Sequence, residues 1–263
     1  MREIEANKKA WGLLAKNHYD YYKELLSQRS SVLNSIVEKE LGDVSGKSII
    51  HLHCNTGADT ISLARKGALV TGSDLAPENI FYARKLADEL KIKNIDFIES
   101  DTTVLNRTHN KKYDMVFASE GILHCFPNLN KLAESIQHVL KDQGTLFLYD
   151  YHPFYFAIDE DKLKYNKLEI RYPYFNKEPE YCEHIGGYAS ESKKADNYWW
   201  MYTISDIINP LVKAGLSIES FKEFDRIGWD LGNMVKDEGG NYYYPFFDKK
   251  IPFMFCLKAR LQH

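Results

Sequence analysis

Ile49 to Asp74 reads I-I-H-L-H-C-N-T-G-A-D-T-I-S-L-A-R-K-G-A-L-V-T-G-S-D. A β-rich run over Lys47 to His53 enters a turn whose one glycine is Gly57. From Gly57 to Lys66 the spacing of Ala58, Ile61 and Ala64 predicts a helix with one apolar side, and Gly67 ends it. Ala68 to Ser73 is a second β-rich run, closed by Asp74. A nucleoside lies naturally across a strand–turn–helix–strand unit of this kind. Backbone groups approach it at the turn, and an acid at the tip of the second strand accepts hydrogen bonds from both ribose hydroxyls. Asp74 follows Gly57 by 17 residues, close to the spacing that this geometry needs.

The same alternation continues downstream. Pro77 opens a helix reaching about Leu90, proline being at home in a first turn. Ile95 to Ser100, Tyr113 to Ala118 and Gly144 to Tyr149 are further strands, with a helix over Leu129 to Leu140. Ser205 to Ala214, with Ser205 as N-cap, is a helix ending at Gly215. Ser217 to Phe224 and Ile251 to Leu261 are strands joined without a helix, which predicts an antiparallel hairpin at the sheet edge. The expected fold is therefore α/β: a doubly wound, mostly parallel sheet of seven strands with helices on both faces and right-handed crossovers. Residues 1–44 form an N-terminal helical segment. Trp11, Leu14, Ala15 and His18 lie at helical spacing there, and a second helix runs from about Val32 to Leu41, before Gly42. Residues 45–150 are the core. Residues 151–200, rich in Tyr, Phe, Pro and charge but without clear periodicity, are an aromatic insertion or cap of irregular strands and loops. Residues 201–263 complete the core, with a loop over 226–248.

Composition narrows the function. A net charge of -3 offers no basic field for a nucleic-acid backbone. No apolar stretch approaches the length of a membrane span, and the first residues show no secretory leader. Cys54, Cys125, Cys182 and Cys256 are far apart, which suits a reduced, cytoplasmic chain. The expected partner is a small molecule, with neither nucleic acid nor membrane.

The segment Ile49 to Asp74 resembles the first two motifs of class I S-adenosylmethionine-dependent methyltransferases, a Rossmann-like family in which a D-x-G-x-G-x-G turn follows strand one and an acid ends strand two. Glu99-Ser100-Asp101-Thr102 looks like that family's adenine-binding acid. Tyr113 to His124 (Y-D-M-V-F-A-S-E-G-I-L-H) looks like its fourth-strand motif, and Gly144 to Leu148 like its fifth strand. The resemblance is good over residues 45–150 and loose over the last 60. It departs at the turn, where His51 stands for the usual acid and His53 and Asn55 for two glycines, as in a bacterial methyltransferase-like group with a glycine-poor first motif. Asp59 at the helix start partly substitutes for the lost acid. The resemblance implies S-adenosylmethionine as cofactor, bound by His53, Cys54, Asn55, Gly57, Asp59, Thr60, Asp74, Leu75, Asp101, Thr102, Ser119, Glu120 and Gly121. It implies methyl transfer to a small acceptor, with Glu120 and His124 beside the methyl group as candidate bases, and His152 beyond strand five as a third.

Other readings compete with these. Asp74 also suits a helix N-cap before Pro77 and Glu78. His51, His53 and Cys54 invite a metal, but no second cluster completes a site, and none is expected. Tyr198 to Tyr202 (Y-W-W-M-Y) suits either cap packing or a wall around a cation. Two rival functions remain: a non-catalytic S-adenosylmethionine- or S-adenosylhomocysteine-binding protein, and an NAD(P)-dependent oxidoreductase. The second lacks the G-x-G-x-x-G turn.

Overall fold

A computed structural model describes residues 2–187 and 189–262; Met1, Tyr188 and His263 of the segments above lie outside the described residues. The chain opens with α1 (Arg2–Gln28), in which Ala10, Leu14, Ala15, Tyr19 and Leu26 make one buried stripe. A short helix, α2 (Ser35–Leu41), follows. It starts later than Val32 because the Asn34 side chain accepts from the Ile36 amide and sets the cap there.

The alternating unit comes next: β1 (Ser48–Leu52), α3 (Ala58–Arg65), β2 (Leu69–Asp74), α4 (Pro77–Glu89) and β3 (Ile95–Glu99). After a short helical turn, α5 (Leu105–Thr108), come β4 (Tyr113–Ser119), α6 (Leu129–Val139) and β5 (Leu140–Tyr151). β5 begins four residues before Gly144, since Leu140 pairs with Tyr113 and a bulge with Gln143 at φ 61° takes up the residues between α6 and Gly144. Two small helices, α7 (Pro153–Ala157) and α8 (Glu160–Leu163), lead to an antiparallel pair, β6 (Glu180–Gly187) and β7 (Ser190–Trp199), whose register shifts between Cys182 and His184 and again between Ile185 and Gly187.

Then come α9 (Ile204–Lys213), β8 (Leu216–Phe224), the two-residue strands β9 (Val235–Lys236) and β10 (Tyr242–Tyr243), and β11 (Met254–Leu261). α9 is capped by Thr203 rather than Ser205. Thr203 and Asp206 form a reciprocal capping box, which out-competes a lone serine.

Seven strands form one sheet in the order β3-β2-β1-β4-β5-β11-β8. β1 to β5 run parallel, and β11 lies antiparallel to both of its neighbours. Successive side chains of a strand point to opposite faces, so both faces are apolar where helices cover both. Val116, Leu146 and Leu148 pack under α6 and α9; Met115, Phe117, Phe147 and Tyr149 point to the other core. The β6–β7 hairpin belongs to neither layer. It docks on α1: the Asn7 side chain donates to the Tyr198 carbonyl (2.8 Å) and accepts from the Tyr198 amide (2.7 Å). Lys193 donates to the Leu13 carbonyl at 3.0 Å, and Ile185 packs on Ala10 and Leu14.

Gly72, in mid-strand, has a packing reason. A Cβ there would lie 2.6 Å from Phe97 Cδ1 and 3.0 Å from Cys54 Sγ. Gly72→Ala is expected to cost about 1–3 kcal/mol through overpacking, read as a lowered urea midpoint at unchanged slope. A neutral result would mean that the β2–β3 layer has room to spare.

Candidate functional site

The turn after β1 carries three left-handed residues in alternation: His53 (φ 53°), Asn55 (φ 50°) and Gly57 (φ 80°). The backbone thus keeps a conformation suited to glycine at positions where the sequence has His and Asn. His53 lies just past the end of β1. The His53 ring rests on Phe126, centroids 4.6 Å apart. His51 is buried, 2.9 Å from Thr60 Oγ1, and burial pushes it down to about 3, leaving it neutral. Gly57 and Thr60 serve packing more than lining: a Cβ on Gly57 would lie 2.9 Å from the Phe97 ring.

Asp74 holds this turn. Its Oδ2 accepts from the Asn55 amide at 2.9 Å, and its Oδ1 accepts from the Ala76 amide (2.9 Å) and from Asn79 Nδ2 (3.1 Å). Asn55 Oδ1 in turn lies 2.7 Å from the Thr56 amide and 3.0 Å from His18 Nδ1 on α1. The first helix is therefore bonded directly to the glycine-poor turn.

Further along the sheet edge, Ser119 at the end of β4 donates to Asp59 at 3.1 Å. Burial pushes Asp59 up to about 6. Glu120 sits in the left-handed region (φ 55°) and is raised to about 8 by burial, then by the nearby Asp59 and Asp150 carboxylates. Asp150, fully buried, accepts from the amides of Gly121 (2.7 Å), Leu123 (3.0 Å) and Tyr151 (2.7 Å), and burial still lifts it to about 6. His124 stacks on Phe156 with centroids 3.6 Å apart, and its Nδ1 donates to the Trp200 carbonyl at 2.6 Å. Burial pushes it down to about 4.

These groups surround one cavity of about 440 Å³ at the carboxyl ends of β1, β2, β4 and β5, within the range of small-molecule sites. His53, Cys54, Asn55, Asp59, Asp74, Leu75, Ser119, Glu120, Gly121 and His124 line it. Its roof comes from α1 and the hairpin, and aromatic walls come from Tyr151, Phe156, Trp199 and Trp229.

Five expected residues lie outside the lining. Gly57 and Thr60 are spent on packing and on His51. Asp101 accepts from the Thr103 amide and hydroxyl (2.8 and 2.7 Å), so it caps a short turn, and Thr102 is buried beside it. His152 caps α7 through Nδ1 and pairs with Glu223 at 2.9 Å through Nε2, which takes it out of the cavity. Sequence reasoning missed Asp150, Asn79, Phe156 and Trp229. Only Asp150, an acid at the end of a strand, left a readable signal.

Comparison with known proteins agrees with this architecture. A family described as "Methyltransferase domain" matches residues 43–203. The chain is 30% identical over 115 residues to a ubiquinone biosynthesis O-methyltransferase of Actinobacillus pleuropneumoniae, covering 42% of this chain and 48% of that one. It is 26% identical over 136 residues to the protein of that name from Acinetobacter baylyi, covering 51% and 57%. The chain thus spans about half the length of the curated relatives it matches. Two S-adenosylmethionine-dependent methyltransferase structures share the fold. One, putatively so described, is from Listeria monocytogenes (TM-score 0.59, 20% identity, covering 87% of this chain and 96% of that one). The other is from Mesorhizobium loti (TM-score 0.57, 19% identity, covering 86% and 95%).

The raised carboxyls give a pH signature. A carboxyl with a higher pKa folded than unfolded stabilises the fold fully below its unfolded value, and that stability is lost as pH rises through the folded value. For Glu120 the window runs from 4.5 to about 8. His51 and His124 act in the opposite sense, but their effect is complete by about pH 6.5. Above that pH most of the fall belongs to Glu120. Glu120→Gln is expected to flatten the decline of the urea midpoint between about pH 6.5 and about pH 8. An undiminished decline in the variant would assign it to another group.

Proposed function

The chain belongs to the family of methyltransferase domains, and we propose that it binds S-adenosylmethionine in the cavity at the sheet edge and moves its methyl group to a small-molecule acceptor. The observation that carries this reading is the turn. Its alternating left-handed residues stay in register although two of them are not glycine, and Asp74 stands at its lip. The cavity is also large enough for a nucleoside-bearing ligand, and the relatives named as ubiquinone biosynthesis O-methyltransferases support a small acceptor.

The residues present suit the cofactor. Each Asp74 oxygen retains acceptor capacity for ribose hydroxyls, Leu75 offers an apolar face for adenine, and Thr56 leaves a buried hydroxyl without a partner in the wall. With a neutral imidazole at position 51, Asp59 is the acid placed to take the cofactor's ammonium, steadied by Ser119. Asp101 is left out of this assignment. When bound, S-adenosylmethionine supplies a methyl carbon activated by a sulfonium, whose leaving group is a neutral thioether. The protein aligns the acceptor, excludes water beneath α1 and the hairpin, and holds a proton acceptor near it in Glu120 or His124. A net charge of -3 and four free thiols among the described residues favour work on a metabolite in the cytoplasm, away from nucleic acid. Among the described residues no helix is long and apolar enough to cross a membrane.

Calorimetric titration with S-adenosylmethionine and S-adenosylhomocysteine is expected to show binding of both. Asp74→Ala is expected to weaken each by roughly tenfold or more, through loss of charge-assisted hydrogen bonds. Transfer of labelled methyl into a metabolite extract then identifies the acceptor. If neither ligand binds the wild-type protein, the proposal fails.

A further inference from the structure

We infer that the acceptor is a cationic amine on an aromatic or apolar body, held between Glu120 and His124 within the rings of Tyr151, Phe156, Trp199 and Trp229. This rests on the methyltransferase reading above and adds the class of acceptor. Three independent features of the cavity wall converge on it.

The first is a buried carboxyl with no counter-charge. Glu120 lines the cavity, and among the described residues no donor reaches its carboxylate. Its near neighbours, Asp59 and Asp150, carry the same sign. Among the described residues Lys8 is the one lysine or arginine in the lining, and it is bonded to Glu99 at 3.2 Å. Asp150 is satisfied by backbone amides, and Asp59 is assigned to the cofactor's ammonium. Glu120 remains without a counter-charge that the protein supplies, and a cation bound beside it would bring it back to its ionised form.

The second is a bare acceptor. A carbonyl can only accept, so the bond to Trp200 fixes the proton on Nδ1 of His124 and leaves Nε2 with a lone pair. That ring is 4% exposed, and its Nε2 has no partner. Such an atom calls for an N–H or O–H donor.

The third is the run of rings. Trp199 and Phe156 lie 5.5 Å apart, Phe156 and Tyr151 5.1 Å, and Tyr151 and Trp229 5.5 Å, in tilted or edge-on contacts that join β7, α7, the end of β5 and the C-terminal loop. Aromatic faces attract cations and pack well on planar or apolar bodies.

A carboxylate or phosphate acceptor meets like charge here with no free cation. A neutral hydroxyl satisfies His124 but leaves Glu120 uncompensated. An ammonium satisfies all three features. An ammonium must also lose a proton before its nitrogen lone pair is free. Glu120, ionised beside the bound ammonium, takes that proton and becomes a neutral carboxylic acid again, leaving the amine lone pair free for the methyl carbon.

The test uses three probes that share one ring and differ in head group: phenethylamine, 2-phenylethanol and 3-phenylpropionate. Binding to the full chain is followed by calorimetry, with and without saturating S-adenosylhomocysteine. Phenethylamine is expected to bind about tenfold tighter than either other probe. Glu120→Gln is expected to reduce it to the level of the alcohol, with the melting curve confirming a folded variant. Trp229→Leu, which removes a ring and leaves the acid in place, is expected to weaken the amine more than the alcohol. Alcohol or carboxylate binding as tight as the amine overturns the inference, and so does the absence of binding by all three. Failure of S-adenosylhomocysteine to bind overturns the methyltransferase reading instead, and the amine preference measured without it still decides this one.

Discussion

One hydrogen bond organises the sheet edge: the Asn55 amide donating to Asp74. It ties the turn after β1 to the tip of β2, and the remaining Asp74 oxygen holds the first turn of α4 through Ala76 and Asn79. The turn can then carry left-handed His53 and Asn55 without glycine's freedom, because its backbone is fixed from outside. Asn55 also has a side chain that glycine lacks, and that side chain reaches His18 on α1. The substitution that makes the motif look degraded gives the first helix its grip on the site.

The second constraint is electrostatic. Asp59, Glu120 and Asp150 crowd the ends of α3, β4 and β5, and burial raises all three. Natural folds seldom gather acids in this way without a function, since each charge loses its hydration. Three backbone amides offset the cost for Asp150, and a hydroxyl helps Asp59. What is left over faces the cavity. The arrangement favours positive ligands before any contact is made.

The strand–helix core was legible because apolar periodicity and glycine or proline punctuation agree there from Lys47 to Tyr149. The antiparallel pair at the sheet edge was legible from the missing helix between two strands. The β6–β7 hairpin was not. S-E-S-K-K-A-D-N-Y-W lacks a clean alternation, because the side that meets α1 carries the charge of Lys193 beside Ala195. Within the site, lip residues such as Asp74, Ser119 and Glu120 follow from strand ends, which sequence locates well. Asp101 and His152 sit at equally suggestive strand ends. Local capping claims both of them, and capping depends on backbone angles that no motif spacing encodes. Phe156 and Trp229 reach the cavity from segments distant in sequence, so only tertiary structure brings them there.

The order of strands has a consequence for the making of this protein. β11 fills the slot between β5 and β8, yet it is the last of the strands to leave the ribosome. Until residues 254–261 emerge, β8 has no neighbour in the sheet, and β5 shows a bare edge on one side. The cavity's roof is also bridged across a long stretch of sequence, since Asn7 waits for Tyr198. A nascent chain therefore holds both an open sheet edge and an unroofed cavity while the core strands are being made, and the closing strand seals the one only after the hairpin has been able to cover the other.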